Sequence, residues 1–131
     1  TGMKYFSITG DTDHKLPYRP QEARRTAIEH ADNFLYHRKK QVAKLNDLMD
    51  RPPIIVCPFD AELFGHWWFE GPIWLESVLR KIDDPSCDLE LLAPKQYLTH
   101  FLPGPEATPA FSSWGNNGYA EVWLDDSNDW I

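Results

Sequence analysis

No stretch of these 131 residues supplies the ~18 successive apolar side chains that a membrane-spanning helix needs. The mean hydropathy of -0.51 likewise excludes a membrane protein. The opening residues, TGMKYFSITGD, lack a basic segment followed by an apolar one, so no secretory leader is expected. Cysteine is scarce: Cys57 and Cys87 stand far apart, with no metal-ligand spacing around either. Cys57 falls in an apolar, strand-like run and reads as a buried thiol; a disulfide with Cys87 is the alternative, and a cytoplasmic location is the default. Basic charge is short as well. Thirteen Lys and Arg face 20 Asp and Glu, a net charge of -7, which repels phosphate backbones and excludes a nucleic-acid partner while leaving neutral substrates unaffected. No glycine-rich phosphate loop, Ser/His/Asp order or Cys/His nucleophile pattern occurs, and no cofactor or metal is expected. What is plentiful is aromatic: six Trp, five Tyr and seven Phe make up 14% of the chain. Trp67, Trp68, Trp114, Trp123 and Trp130 are more indole than a small core needs. An indole joins a flat apolar face to a polar edge, which suits sugar rings with their C–H faces and hydroxyl rims.

Along the chain, residues 4–8 (KYFSI) read as a short strand and residues 12–20 as a loop. A long helix is expected from Gln21 to about Asp50, with Ile28, Ala31, Leu35, Val42, Leu45 and Met49 recurring every three or four positions and Arg38 interrupting them. Arg51–Pro52–Pro53 stops it. Residues 54–59 (IIVCPF) form a continuous β-branched and apolar run, the pattern of a strand buried on both faces in a parallel sheet. Gly71–Pro72 opens a second helix, Ile73 to about Ile82, because a proline in the first turn gives up no helical hydrogen bond. LELLAPKQYL reads as a short strand and a turn of helix, residues 100–111 as a Pro/Gly-rich loop, and the remainder has no clear period. Strand, helix, strand, helix is the order of an α/β sheet or barrel. Two strands make no stable parallel sheet, so the chain reads as a piece of a larger barrel.

The densest chemistry lies in FDAELFGHWWFEGP, residues 59–72. Asp60 is the first polar group after the apolar run, at the carboxyl end of the expected strand, where barrel and open-sheet enzymes place catalytic groups. A carboxyl group there, desolvated among Phe59, Phe64, Trp67 and Trp68, suits a general acid; capping a turn is the equal alternative. Glu62 lies two positions on, at a separation near that of an inverting carboxylate pair, but two groups on one strand do not flank a sugar from opposite faces. His66 with Asp60 and Glu62 matches no metal-ligand spacing. In WGNNGYAEVW the glycines permit close approach of a ligand, so Trp114 and Trp123 either present indoles to a hydroxyl-rich chain or pack on a neighbouring domain.

FDAELFGHWWFEGPIWL followed by SSWGNNGYAEVWLDDSNDWI resembles glycoside hydrolase family 57, and its 1,4-α-glucan branching group in particular, over nearly the whole chain. DAELFGHWWFEG resembles the family's fourth conserved region, SSWGNNGY the fifth, and KYFSITG the strand before the last long barrel helix. The resemblance implies an α/β fold, a fragment of a (β/α)7 barrel running into a helical domain. Residues 1–100 would be the carboxyl-terminal part of the barrel, and 101–131 a linker and the beginning of the helical domain. It implies a retaining enzyme on α-glucans, with Asp60 as general acid/base and Trp67, Trp68, Trp114 and Trp123 as substrate-binding residues. The nucleophile, a Glu on an earlier strand, and the His-bearing first region precede this chain in the family. Branching, by α-1,4 cleavage and α-1,6 transfer, is favoured by GHWW and SSWG. Amylase or 4-α-glucanotransferase activity, a non-catalytic glucan-binding module and a metal-dependent deacetylase-like barrel are the alternatives. The expected partner is an α-glucan such as amylose or glycogen, and a barrel piece with open edges is expected to self-associate.

Overall fold

The computed structural model describes residues 3–102, 104, 106–113 and 115–130. They divide into two units, one ending at Phe101 and one beginning at Leu102.

The first unit is organised by two helices. Helix α1 runs Pro20–Asn46, and Pro20 occupies its first turn, where a missing N–H costs nothing. Its end comes at Asn46, before the expected Asp50, with the Asp47 amide closing onto the Ala43 carbonyl. Helix α2 spans Gly71–Ile82. The buried cluster is Ala27, Ala31 and Leu35 from α1 with Trp74 and Val78 from α2, ringed by Phe34, Phe64, Trp68 and Ile82. The two alanines let the helices approach, and Trp74 fills the space with its indole, edge-on to Phe34 at 5.1 Å. The buried face is thus Ala27–Ala31–Leu35, narrower than the expected stripe; Val42 and Leu45 are only half-buried and Met49 is exposed. Arg38, which interrupts that stripe, lays its guanidinium 5.3 Å from the Phe34 ring. Helix α3, Pro94–His100, appears where a strand and a turn of helix were expected. Gln96 accepts the Ala93 amide at its start, and the Tyr97 hydroxyl donates to the Pro52 carbonyl at 2.7 Å.

The strands expected at 4–8 and 54–59 do not form among the described residues. Phe6 and Pro17 make a single antiparallel bridge, with the Ser7 amide donating to Leu16 and the Tyr18 amide to Tyr5. Residues 54–59 take no regular structure and pair with no strand among the described residues, and Val56 and Phe59 are exposed. The expected α/β arrangement therefore gives way to a mostly helical one. The reason is physical: a parallel strand exists only through hydrogen bonds to a neighbouring strand, and among the described residues none pairs with this run. The same exposure corrects the reading of Cys57, which is exposed rather than buried; both cysteines are free thiols.

The second unit is built of short turns: 3₁₀ turns at Asn116–Gly118 and Asp126–Asn128 flank α4, Glu121–Leu124. Ser113 ties it together, its amide donating to Gly118 and its hydroxyl accepting from the Ala120 amide. Phe111 and Tyr119 stack with centroids 6.5 Å apart.

Candidate active-site cleft

The run 54–59 leads to Asp60, itself extended, at the head of a tight loop. A 3₁₀ turn, Ala61–Leu63, follows at once, so Asp60 and Glu62 do not share the face of one strand. Gly65, at φ +93°, turns the chain in a conformation that costs other residues strain. Its amide then donates to Trp68 at 2.8 Å, while the Trp68 and Trp67 amides donate to Leu63 and Glu62. Gly71 closes the loop by contact. A Cβ there would lie 3.1 Å from Phe64 backbone and ring atoms and 3.2 Å from the Trp68 indole.

This closure sends the two adjacent indoles to opposite sides. Trp68 turns inward onto Phe64 and Trp74, with a centroid 5.4 Å from Trp74. Trp67 turns outward and is 72% exposed. Its Nε1–H donates to the Glu62 carboxylate at 2.6 Å, and the His66 ring meets it edge-on at 5.1 Å. Pro58, Phe59, Asp60, Leu63 and Trp67 line one open cleft of about 430 Å³. A carboxyl group and a flat apolar ring thus share a concave surface, which can stack a sugar ring and exchange a proton with one of its oxygens. Asp60 is exposed here, not desolvated as the sequence suggests.

The structure brings Asp60 and Trp67 together. Trp68 packs toward the core, Trp123 is exposed in the second unit, and Trp114 lies outside the described residues. Among the described residues no group of His, Cys, Asp and Glu is placed to hold a metal ion, and no helix is long and apolar enough to cross a membrane.

The comparisons with known proteins bear on the same segment. No family model matches the chain. A probable 1,4-alpha-glucan branching enzyme of Mycobacterium tuberculosis is 33% identical over 126 residues, covering 94% of this chain and 24% of that protein. A 1,4-alpha-glucan branching enzyme of Thermococcus kodakarensis is 31% identical, covering 99% of this chain and 20% of the relative. Among solved structures, the GH57-type branching enzyme of Pyrococcus horikoshii superposes with a TM-score of 0.78 at 30% identity, over 98% of this chain and 24% of that one. The alpha-amylase AmyC of Thermotoga maritima gives 0.73 at 39% identity, over 87% and 22%. Nearly the whole chain is thus similar to one segment of family 57 branching enzymes. It spans about a quarter or less of the family 57 proteins it matches.

One functional-looking cluster of this chain escapes sequence reasoning. Glu70, 8% exposed, receives a hydrogen bond from the Lys4 ammonium at 2.7 Å across 66 positions. The same ammonium lies 4.9 Å from the centre of the Tyr18 ring. Burial pushes the Glu70 carboxyl up, but hydrogen bonds from Lys4 and Tyr18 outweigh it and hold the group below its ordinary value. Burial first, then the hydrogen bond to Glu70 and the charge of that group, push the Tyr18 hydroxyl up to about 12. No sequence spacing signals this cluster, because its members come from three separate segments. They line a hollow of about 610 Å³ beside the start of α1, and their polar atoms are engaged with one another. The Glu62–Trp67 bond could have been suspected from sequence, since a turn-forming glycine stands between the two.

Proposed function

We propose that this chain is the acid/base side of the active site of a family 57 α-glucan branching enzyme. The observation that carries the reading is the shared cleft of Asp60 and Trp67 in a chain whose relatives are branching enzymes along nearly all of its length. In the intact enzyme, residues 54–59 become a strand of a (β/α)7 barrel once neighbouring strands supply their hydrogen bonds. The second unit then begins a helical domain, with Trp114 and Trp123 as further candidate substrate-binding residues.

The chemistry follows from the double displacement that retention requires. Asp60, protonated, gives its proton to the glycosidic oxygen of an α-1,4 linkage while a Glu from outside these 131 residues attacks the anomeric carbon. The C–O bond breaks, the shortened glucan leaves with the proton, and a glycosyl ester remains on the Glu. Asp60, now a carboxylate, takes the proton of an acceptor 6-hydroxyl, whose oxygen displaces the Glu and forms the α-1,6 branch. Trp67 holds the sugar by stacking. Water or a 4-hydroxyl as acceptor gives amylase or 4-α-glucanotransferase activity from the same residues.

The test is a chimaera of the Pyrococcus horikoshii branching enzyme in which this chain replaces the matching segment. Asp60→Asn is expected to abolish branching of amylose while leaving maltoheptaose binding intact. Equal branching by both forms would remove Asp60 from the mechanism. Binding in both forms with turnover in neither would favour a glucan-binding module, which the exposed indoles of Trp67 and Trp123 also suit.

A further inference from the structure

Trp67 is oriented by partners on two sides. A ring that is 72% exposed has little packing to fix it, and a free tryptophan at such a position samples several rotamers. Here the indole N–H is committed to the Glu62 carboxylate at 2.6 Å, a short, charge-assisted hydrogen bond. The edge of the His66 ring borders it at 5.1 Å. The backbone beneath is fixed independently: the Trp67 amide donates to the carbonyl of the same Glu62, and the flanking amides of Gly65 and Trp68 close the loop. Glu62 therefore grips Trp67 twice, by main chain and by side chain. Asp60, two positions before Glu62, lines the cleft that this ring walls.

We infer that Glu62 is a positioning residue: it holds the Trp67 indole in the orientation that makes it the sugar-stacking wall beside Asp60. This rests on the α-glucan reading above for the identity of the ligand, and on geometry alone for the orientation of the ring. Ordering the indole before the glucan arrives lowers the entropic cost of binding. Glu62 does not touch the reacting atoms in this scheme, and its carboxylate is committed to the indole rather than paired with Asp60 for catalysis.

The 15N-labelled 131-residue chain provides the test, read first without sugar. The Trp67 indole N–H resonance is assigned by its loss in Trp67→Phe. In Glu62→Ala it is expected to move upfield, toward a free indole, whereas in Glu62→Gln it stays, because the carboxamide oxygen still accepts. An unchanged core Trp74 resonance in each variant shows that the fold is intact. Maltoheptaose is then titrated into the Pyrococcus horikoshii chimaera that carries this chain, as parent and with each Glu62 substitution. Glu62→Ala is expected to bind about fivefold more weakly, the size of one lost charge-assisted hydrogen bond at an exposed site, and Glu62→Gln to bind within about twofold of the parent. An indole resonance unmoved by Glu62→Ala overturns the inference. So does equal maltoheptaose affinity in the parent and Glu62→Ala. If the parent itself gives no response to maltoheptaose, the glucan reading fails, and the sugar-free comparison alone decides whether Glu62 orients Trp67.

Discussion

Lys4, Tyr18 and Glu70 show how individual side chains hold this chain together where its main chain does not. The Glu70 carboxyl titrates below its ordinary 4.5. A depressed folded-state value means that its contribution to stability is complete above the unfolded value and is lost as pH falls through the folded one. For Tyr18 the sign reverses: with the folded group pushed up to about 12, its contribution is complete below the ordinary 10 and is lost as pH rises through the folded value. Thermal unfolding followed by circular dichroism is therefore expected to show two limbs, one acid and one strongly alkaline. Lys4→Met should remove most of the acid limb. It should also lower stability near neutrality by about 2 kcal/mol, because Glu70 then keeps a buried charge without its cation. A variant with an unchanged acid limb would mean that another carboxylate sets it. None of this was legible in the sequence. Lys4 sits in a segment whose pattern announces only a strand, and Glu70 reads as the polar end of an aromatic motif.

At the scale of elements, the two long helices were legible and the strands were not, for one reason. A helix satisfies its own backbone, so the three- and four-residue spacing of Ala31 and Leu35 and the proline at the head of each long helix are enough to place it. The run 54–59 carries strand composition, but a strand needs a neighbour, and composition cannot supply one. The loop after it was legible in content and not in geometry. Asp60, Glu62 and Trp67 could be singled out by residue type, yet the opposite facing of Trp67 and Trp68 depends on Gly65 and Gly71, whose roles emerge only in three dimensions. Two expectations follow. Trp74→Ala should destabilise the α1–α2 pairing by about 3–5 kcal/mol, since the indole fills the space that Ala27 and Ala31 leave open. Gly71→Val should be tolerated less well than Gly104→Val, because only the former drives a side chain into Phe64 and Trp68. Denaturant midpoints compared at equal slope would check both, and equal midpoints for the two glycine variants would contradict the close-packed loop.

Taken as a whole molecule, the chain leaves large apolar side chains in water: Ile8 is 89% exposed and Val56 66%. Burying one such side chain is worth about 1.5–3 kcal/mol, so association that covers several would rival the stability of a small domain. Light scattering at micromolar concentration is expected to show self-association; a clean monomer with a sharp thermal transition would contradict it. The chain alone should also leave amylose unchanged in iodine absorbance, because one carboxylate cannot run a double displacement. The central claim, that Asp60 is the acid/base and not the nucleophile, is tested most directly by azide rescue in the chimaera. An α-glucosyl fluoride needs no proton on its leaving group, so Asp60→Asn should still form the glycosyl-enzyme and then stall. Azide, which needs no general base, should restore turnover and yield the α-glucosyl azide, the product of two inversions. A β-glucosyl azide would reveal a single inversion and make Asp60 the nucleophile, and no rescue at all would contradict any role for Asp60 as the base.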